Sequence, residues 1–349
     1  MSIDDKNPNG FEELYRLFDH LPHANADIRA QADAREQQLT KPMGALGDLE
    51  DISAWVSEWR GEFMPKIHHP RMAVFAANHG VCAQGVSAFP MEVTAQMVAN
   101  FQHGGACVNQ LCALHDMDLR IYEMNLENPS KDFSKTPAMS IQECVTAINY
   151  GMMAVEQGVD FLCVGEMGIG NSTSAAAMAY ALFGGSASDW TGRGTGVEGD
   201  TLANKTRVVE ASVRLHQAEI EKYPQYLRPF HILRCLGGFE LCAIIGAIIA
   251  ARMGRVPVLL DGYACCVAAS ILQALRHDLL DHCKVGHLSA EQAHAKLLHK
   301  MNKSPLLQLH MRLGEGSGAA VAFALVKSAL ACHNGMATFN EAMVAGKNN

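Results

Sequence analysis

The stretch that decides the fold is Gly165-Glu166-Met167-Gly168-Ile169-Gly170-Asn171-Ser172-Thr173-Ser174. The apolar residues 161–164 before it predict a short buried strand, and the alanine-rich residues 175–183 after it predict a helix. The glycines therefore lie in a turn from a strand to a helix, where they let the backbone approach a ligand closely. The free N–H groups of a helix start, together with the side chains of residues 171–173, are typical of a phosphate site.

This turn departs from the two common phosphate-binding motifs. No Gly-Lys-Ser/Thr follows it, which excludes a Walker A loop, and the third glycine of a dinucleotide fingerprint is missing. Glu166 is unexpected beside a phosphate because a carboxylate repels an anion, so we expect it to serve the other end of the ligand. The alternative, a tight structural turn with a solvated Glu166, stays open on spacing alone.

Composition and charge narrow the class of protein. The chain has 349 residues, of which 49% are hydrophobic and 18% charged, as in ordinary soluble globular proteins. A formal net charge of -8 argues against nucleic acid or an anionic membrane as a partner. The polar N-terminus lacks a signal-peptide pattern, and the longest apolar run, residues 241–251, is too short to span a bilayer. We therefore expect a cytoplasmic protein.

The cysteines and histidines show no metal-ligand spacing, so neither a metal nor a cofactor is predicted. The 11 cysteines include no Cys-x-x-Cys pair. We expect the following ones, which lie in apolar segments, to be small buried side chains in a reducing compartment: Cys163, Cys235, Cys242, Cys265 and Cys266. The 16 histidines contain no His-Glu-x-x-His pattern. We interpret these as surface or locally bonded imidazoles: His68, His69, His287, His294 and His299.

Predicted strands alternate with predicted helices between residues 71 and 318. The strands are expected at residues 71–77, 119–124, 161–164, 231–236, 256–260 and 307–313. This order predicts an α/β fold, a Rossmann-like and mostly parallel sheet with helices on both faces. Residues 71–318 would form this catalytic domain. The helices of residues 1–70, broken at Pro22 and Pro42, and those of residues 319–349 would form a small helical domain.

Several predicted strands end in polar or glycine-rich tips that could converge on one crevice, because ligands gather beyond the carboxyl ends of parallel strands. The second glycine-rich loop, residues 192–196, precedes a long helix with Lys205 near its start. Lys205 could reach a phosphate as a point charge, or it could be a solvated helix lysine. Glu315 stands between two glycines after the last predicted strand. It could be a general base whose pKa is raised by burial, or part of a plain turn.

Six motifs follow one another from residue 41 to the final helix. They are Lys41-Pro42-x-Gly44-x-Leu46-Gly47, Asn78-His79-Gly80-Val81, residues 165–174, residues 192–196, Gly237-Gly238-Phe239-Glu240 and Met311-Arg312-Leu313-Gly314-Glu315-Gly316. Together they resemble the motif set of the nicotinate-nucleotide:dimethylbenzimidazole phosphoribosyltransferase family. The third and the sixth motif are specific, whereas the simple glycine pairs are not. Asn78 stands where many members have Asp, which weakens a catalytic role for that position.

The resemblance implies a reaction and an assembly. Ribose 5-phosphate would pass from nicotinate mononucleotide to 5,6-dimethylbenzimidazole, giving nicotinate and α-ribazole 5′-phosphate for the lower ligand of cobalamin. Family members resemble a Rossmann-like domain joined to a small helical domain, as a homodimer. Nicotinate leaves as a neutral ring from a cationic pyridinium, so neither an acid nor a pyrophosphate-binding Mg²⁺ is needed. The acceptor must shed a proton, so one base is needed.

The resemblance also implies roles for individual residues. Glu315 would be the base, and Glu166 would oppose positive charge that develops at the sugar carbon. The phosphate and ribose would be held by Gly168, Gly170, Asn171, Gly194 and Lys205. The pocket for the base would be lined by Ala88, Phe89, Gln96 and Met167.

Two other classes of protein stay open. A nucleotide-dependent oxidoreductase fits the glycines and the sheet, although the third glycine and an acidic residue at the expected strand end are missing; a nicotinamide absorbance assay would detect it. A non-catalytic carrier of a base or nucleotide would not need Glu315 and would bind without turnover. The sequence does not select among benzimidazole, purine and phenolic acceptors.

Overall fold

A computed structural model describes residues 10–345, and its centre is one parallel sheet of six strands. The strands are β1 (Pro70–Ala76), β2 (Asp118–Glu123), β3 (Phe161–Met167), β4 (Val258–Leu260), β5 (Cys283–His287) and β6 (Pro305–Leu307). Their order is β2-β1-β3-β4-β5-β6, with every neighbouring pair parallel. The direction of strand addition reverses between β1 and β3, and such a switch point opens a crevice at the carboxyl edge.

Helices connect the strands and extend the chain at both ends. In the described part they are α1 (Gly10–Leu17), α2 (Ala26–Glu36), α3 (Asp48–Arg60), α4 (Val93–Gln102), α5 (Cys107–His115), α6 (Ile141–Met152), α7 (Asn171–Phe183), α8 (Ala187–Trp190), α9 (Gly199–Glu221), α10 (Arg228–Leu236), α11 (Phe239–Met253), α12 (Tyr263–Leu275), α13 (His294–Met301) and α14 (Ser317–Gly335). None of these helices is long and apolar enough to cross a membrane.

The central strands of the sheet are buried on both faces, because successive side chains of a strand point to opposite sides and each side packs against helices. In β1, Ala73 and Phe75 join a larger core that also takes α1 and α6–α13. Met72 and Val74 join a smaller core formed with α3, α4, α5 and α14. A parallel sheet covered on both faces needs nearly continuous apolar strands, which is why residues 161–164 lack polar side chains. The predicted α/β fold with helices on both faces is confirmed.

The two ends of the chain meet beside the sheet. Leu39 forms an isolated antiparallel bridge with Thr338, and His333 Nδ1 lies 2.7 Å from Glu36 Oε1. Glu36 Oε2 in turn lies 3.1 Å from Lys41 Nζ. Because α14 also packs against β5 of the sheet, the division into a small domain and a catalytic domain stays a prediction. Residues 1–9 and 346–349 of the predicted small domain lie outside the described residues.

Two of the predicted strands are wrong, and one strand was missed. Residues 231–236 belong to α10, where Pro229 occupies the first turn and every residue from 229 to 236 is buried. A short apolar run buried on all sides has no periodicity that separates a strand from a helix. The alternating residues 307–313 contribute only Leu307 to β6, and His310 has a φ of +56°, which a strand cannot contain. The missed strand is β5, whose five residues include Lys284 and Gly286.

Candidate active site

A cavity of about 470 Å³ opens beyond the carboxyl ends of β3, β4 and β5. The starts of α7 and α12 and the loop before α14 form much of its wall. The cavity brings together these predicted site residues: Phe89, Glu166, Met167, Gly168, Asn171, Gly194 and Glu315. It does not have Ala88, Gln96, Gly170 or Lys205 on its surface.

The glycine-rich turn after β3 forms one end of the cavity. A Cβ on Gly168 would lie 2.7 Å from the carbonyl oxygen of Ala77. Gly170 is the N-cap of α7 at a φ of +96°, and a Cβ there would lie 2.6 Å from Cys82 Sγ. Glycine is therefore required at both positions, and it allows the start of α7 to face the cavity. A helix start carries free N–H groups and a partial positive charge, which suit an anion.

Lys205 lies directly behind this end of the cavity. Only 1% of the residue is exposed, so the alternative of a solvated helix lysine is wrong. Its Nζ donates to Ser172 Oγ at 2.9 Å and to the carbonyl oxygen of Gly192 at 3.1 Å. A Cβ on Gly194 would lie 3.0 Å from this Nζ, so the glycine lets the loop close over the ammonium group. Burial lowers the pKa of Lys205 to about 8, and attraction to Glu291 opposes that change.

Glu315 lies on the opposite side of the cavity, in the turn that leads into α14. It does not stand at a strand tip as predicted, because β6 ends at Leu307. Glu315 has a φ of +62°, its N–H donates to the carbonyl oxygen of Glu166 at 3.2 Å, and 7% of the residue is exposed. Burial, and after it the negative charge of Asp261, raise the pKa of Glu315 to about 7. Such a carboxyl group can accept a proton near neutral pH.

Glu166 is the second carboxyl group of this acidic side. Asn171 Nδ2 donates to its Oε2, and a Cβ on Gly314 would lie 2.7 Å from its Oε1. Burial raises the pKa of Glu166 to about 8, repulsion from Asp261 and other carboxylates adds to this, and the bond from Asn171 opposes it. A carboxyl group with this pKa is mostly protonated at pH 7, so its charge depends on whether a cation lies nearby.

The four residues predicted to contact the base separate into two pairs. Met167 and Phe89 line the cavity, and Phe89 remains 49% exposed. Ala88 and Gln96 are exposed to solvent outside it. The cavity therefore has an apolar side for a flat ring, to which Leu313 also contributes.

Sequence reasoning missed one wall of the cavity, to which His287, Ser289 and Glu291 contribute. These residues end or follow β5, and because that strand was not predicted, nothing placed them at the carboxyl edge. His287 is neither at the surface nor locally bonded, since it is 1% exposed and neither ring nitrogen has a hydrogen-bond partner within the described structure. Arg312 was also missed, although it lies in a specific motif. Its Nη1 donates to the carbonyl oxygen of Gly194 at 3.4 Å.

Two motifs that were quoted separately meet below the glycine-rich turn. His79 Nε2 and Glu240 Oε1 lie 2.7 Å apart, and both side chains are 0% exposed. A Cβ on Gly238 would lie 2.2 Å from His79 Cε1, which explains the glycine before Phe239 and Glu240. Asn78 Nδ2 donates to the carbonyl oxygen of Leu126 at 2.8 Å. The structure thus gives His79 and Asn78 structural contacts.

All cysteines are free thiols, and those expected to be buried are buried. Within residues 10–345, no three or more His, Cys, Asp and Glu side chains are grouped so that they could hold a metal ion.

Comparison with known sequences places the chain among phosphoribosyltransferases. The sequence model of a family described as phosphoribosyltransferase matches residues 21–344. A nicotinate-nucleotide–dimethylbenzimidazole phosphoribosyltransferase from Methylocella silvestris is 52% identical over 336 residues, which are 96% of this chain and 97% of that protein. An enzyme of the same name from Ruegeria pomeroyi is 54% identical over 329 residues, covering 94% of this chain and 96% of its own length.

Solved structures give the same result. The crystal structure of CobT from Thermus thermophilus superposes with a TM-score of 0.84 at 36% identity, covering 91% of this chain and 99% of that one. This agreement over nearly the full length decides among the three classes that the residues alone left open. The chain belongs to the nicotinate-nucleotide–dimethylbenzimidazole phosphoribosyltransferase family.

Proposed function

We propose that this chain transfers ribose 5-phosphate from nicotinate mononucleotide to 5,6-dimethylbenzimidazole. The products are nicotinate and α-ribazole 5′-phosphate, the precursor of the lower ligand of cobalamin. The observation that carries the proposal is the pairing, in one cavity, of a glycine-rich helix start backed by the buried Lys205 with two carboxyl groups, those of the partly buried Glu166 and the buried Glu315. Nicotinate mononucleotide has the matching charges, an anionic phosphate and a cationic pyridinium ring.

The phosphate and ribose are held at the glycine-rich end. Gly168, Gly170 and Asn171 shape the start of α7, and Gly194 brings the second loop to Ser172. Lys205 supplies the positive charge from behind Ser172 Oγ. A phosphate near this ammonium group would reverse the lowering of its pKa by burial, because an opposite charge favours the protonated form.

Glu315 acts as the general base. The bond between the ribose C1′ and the pyridinium nitrogen breaks, and its electron pair stays on nicotinate. One nitrogen of dimethylbenzimidazole forms the new bond to C1′, and the N–H proton of that ring passes to the Glu315 carboxylate. A group with a pKa of about 7 combines a sizeable deprotonated fraction with useful basicity at neutral pH.

Glu166 opposes the positive charge that develops at C1′. Its pKa of about 8 means that it needs a neighbouring cation to be charged at neutral pH, and the pyridinium ring of the donor supplies one. Met167 and Phe89 contact the acceptor ring. Ala88 and Gln96 contact it only if their segment moves toward the cavity.

The direct test incubates the protein with nicotinate mononucleotide and dimethylbenzimidazole and measures both products by chromatography. We expect equal amounts of nicotinate and α-ribazole 5′-phosphate, with no nicotinate released when the acceptor is omitted. Binding of both substrates without products would indicate a carrier. A change in nicotinamide absorbance with a dinucleotide would indicate an oxidoreductase. Parallel assays with purines and phenols would define the acceptor range.

The proposal extends to assembly and location, namely a homodimer in the cytoplasm. Leu313 is 55% and Phe89 49% exposed beside the cavity, and half-exposed apolar residues at a functional site suit a contact with a second chain. The free thiols suit a reducing compartment. Light scattering that gives the monomer mass at micromolar concentration would contradict the dimer, and a fluorescent fusion outside the cytoplasm would contradict the location.

A further inference from the structure

The turn that carries Glu315 is held by a buried carboxylate from another strand. Asp261 directly follows β4 and is 0% exposed. Its Oδ2 accepts a hydrogen bond from the N–H of Gly316 at 3.1 Å, and its Oδ1 accepts one from the N–H of Ala319 at 2.9 Å. Asp261 thus bonds to the residue directly after Glu315 and to the first turn of α14. Apart from the charge that raises the pKa values of Glu315 and Glu166, this side chain has no part in the reaction proposed for the chain.

His287, at the end of β5, lies in close contact with the start of α14 that follows this turn. Its Nε2 lies 3.6 Å from Asp261 Oδ1, and a Cβ on Gly318 would lie only 1.9 Å from its Cδ2. A Cβ on Gly286 would lie 2.9 Å from the Cα of Ala319. The start of α14 therefore lies in close contact with β5 on one side and is hydrogen-bonded to Asp261 on another, which leaves it little freedom to shift.

This restraint matters for Glu315 because of its backbone. A non-glycine residue at a φ of +62° is strained by about 1 kcal/mol or more and persists only where its surroundings enforce it. The enforcing contacts are the bond from Glu315 N–H to Glu166 and the bonds to Asp261 immediately beyond. Without the latter, the turn could relax and carry the carboxyl group away from the acceptor.

We propose that Asp261 is a positioning residue for Glu315, because its two bonds to the start of α14 hold the strained turn that aims the Glu315 carboxyl group into the cavity. The proposal rests on the proposed function. It also predicts an electrostatic effect that a simple helix cap elsewhere would not have, since the Asp261 charge faces the acidic side of the cavity and contributes to the raised pKa of Glu315.

The groups that face Asp261 and Glu315 must be known before a pH profile can be interpreted. They are Glu166 and Cys163 of β3, Cys107 of α5, Cys265 and Cys266 of α12, and His287 of β5. Burial raises the pKa of the thiols above their usual range, so they stay neutral where Glu315 titrates. His287 and Glu166 remain, and the variants His287→Gln and Glu166→Gln identify their contributions.

The test compares Asp261→Asn with a matched variant at Asp160, which directly precedes β3 and so lies at the amino ends of the strands, away from the cavity. Asp160 is also a buried carboxylate that accepts two backbone bonds, from the N–H groups of His68 at 2.6 Å and His69 at 3.0 Å. We expect Asp261→Asn to lower kcat about 100-fold, the scale of a 1 Å misplacement, with the donor KM nearly unchanged. The acid limb of the rate profile should move to lower pH, because one negative charge beside Glu315 is gone. Asp160→Asn should lower Tm without changing kcat or the limb.

An Asp261→Asn protein that loses stability like Asp160→Asn but keeps its kcat and its acid limb would overturn the proposal and leave Asp261 as a structural cap. If Asp261→Asn does not fold, Asp261→Ser, which is smaller and retains an oxygen acceptor, takes its place under the same criteria. A second readout does not depend on turnover: titration of carboxyl-¹³C-labelled glutamates by NMR should show a lower midpoint for Glu315 in the variant. Failure of the proposed function would give a different result. Wild-type protein would form no nicotinate, while the lower NMR midpoint of Glu315 in the Asp261 variant would still be observed.

Discussion

The two ends of the cavity carry opposite charge, yet burial moves both toward neutrality. At the glycine-rich end, burial lowers the pKa of Lys205 to about 8. At the acidic end, burial raises the pKa of Glu315 to about 7 and that of Glu166 to about 8. Each end therefore has its full charge only when an opposite charge arrives, as an anion beside Lys205 or a cation beside Glu166.

The ends differ in how their groups are held. Lys205 has two hydrogen-bond acceptors, Ser172 Oγ and the carbonyl oxygen of Gly192, so its place is fixed before any ligand binds. Glu315 is held through its backbone. Within the described residues, its carboxyl oxygens form no hydrogen bond with another side chain or with the backbone. A fixed cation suits ground-state binding, whereas an uncommitted carboxyl group suits proton transfer. We therefore expect changes at the first end to alter KM and changes at the second to alter kcat.

The largest effect is expected for Glu315→Gln. The change keeps the size of the side chain but removes the proton acceptor, and loss of a general base usually lowers kcat roughly 10²–10⁴-fold. Calorimetric binding of nicotinate mononucleotide and of dimethylbenzimidazole should survive, because neither requires this carboxylate in its ground state. Steady-state kcat and the two binding constants are the measurements.

The matched control is Glu166→Gln, which removes the other carboxyl group of the same end. Glu166→Gln should also lower kcat, but because we propose that Glu166 faces the cationic ring of the donor, it should weaken donor binding as well. A near-normal kcat for Glu315→Gln together with a large loss for Glu166→Gln would exchange the two assignments.

A bell-shaped pH profile of kcat/KM for the donor would test both ends at once. The rate should fall below a pH of about 7, as Glu315 gains a proton and stops acting as a base. It should fall again above a pH of about 8, as Lys205 loses the charge that we propose holds the phosphate. Each limb should approach a tenfold fall per pH unit for a single titrating group. In Glu315→Gln the acid limb should vanish; an acid limb nearer pH 8 that persists there would point to Glu166.

Lys205→Ala should act on binding. A charge-assisted interaction between a lysine ammonium group and a phosphate contributes about 1.5–3 kcal/mol. The donor KM should therefore rise roughly 10- to 150-fold, while the KM of the acceptor stays near normal. Lys303→Ala is the matched control, because Lys303 Nζ likewise donates to two acceptors inside the protein, the carbonyl oxygens of Leu280 and Cys283, both at 2.7 Å. A donor KM that rises equally in both variants would mean that Lys205 acts only through stability.

The same two ends show how far the sequence alone could predict the site. Most of the glycine-rich end is continuous in sequence, since β3, the turn and α7 all lie within residues 161–183. The apolar run, the glycines and the alanine-rich segment were sufficient to predict this strand, turn and helix. The acidic end is assembled from β3, β4, β5 and the start of α14, so its geometry depends on strand order. Asp261 follows the strand predicted at residues 256–260, but its bonds to the start of α14 depend on strand order and have no local signal. His287 carried no local signal, because β5 is short and contains Lys284. Lys205 was ambiguous for a related reason: helical spacing does not say which face of α9 is buried.

The smallest effect is expected for Met167→Ala. Met167 lies between the two ends of the cavity, and the variant tests the choice of acceptor. Met167 follows Glu166 at the end of β3, lines the cavity and is partly buried. A flexible, polarizable side chain can repack around flat rings of different size. The variant should change the ratio of kcat/KM between dimethylbenzimidazole and smaller bases by roughly tenfold or less, the scale of a few missing methylenes.

Met97→Ala is the control, since Met97 is also partly buried and packs on the smaller core but does not line the cavity. Because the proposed base, Glu315, would take the same proton from every benzimidazole, a change at Met167 that is confined to the pocket must separate the acceptors. A parallel fall for all of them would mean that Met167 supports Glu166 rather than the ring.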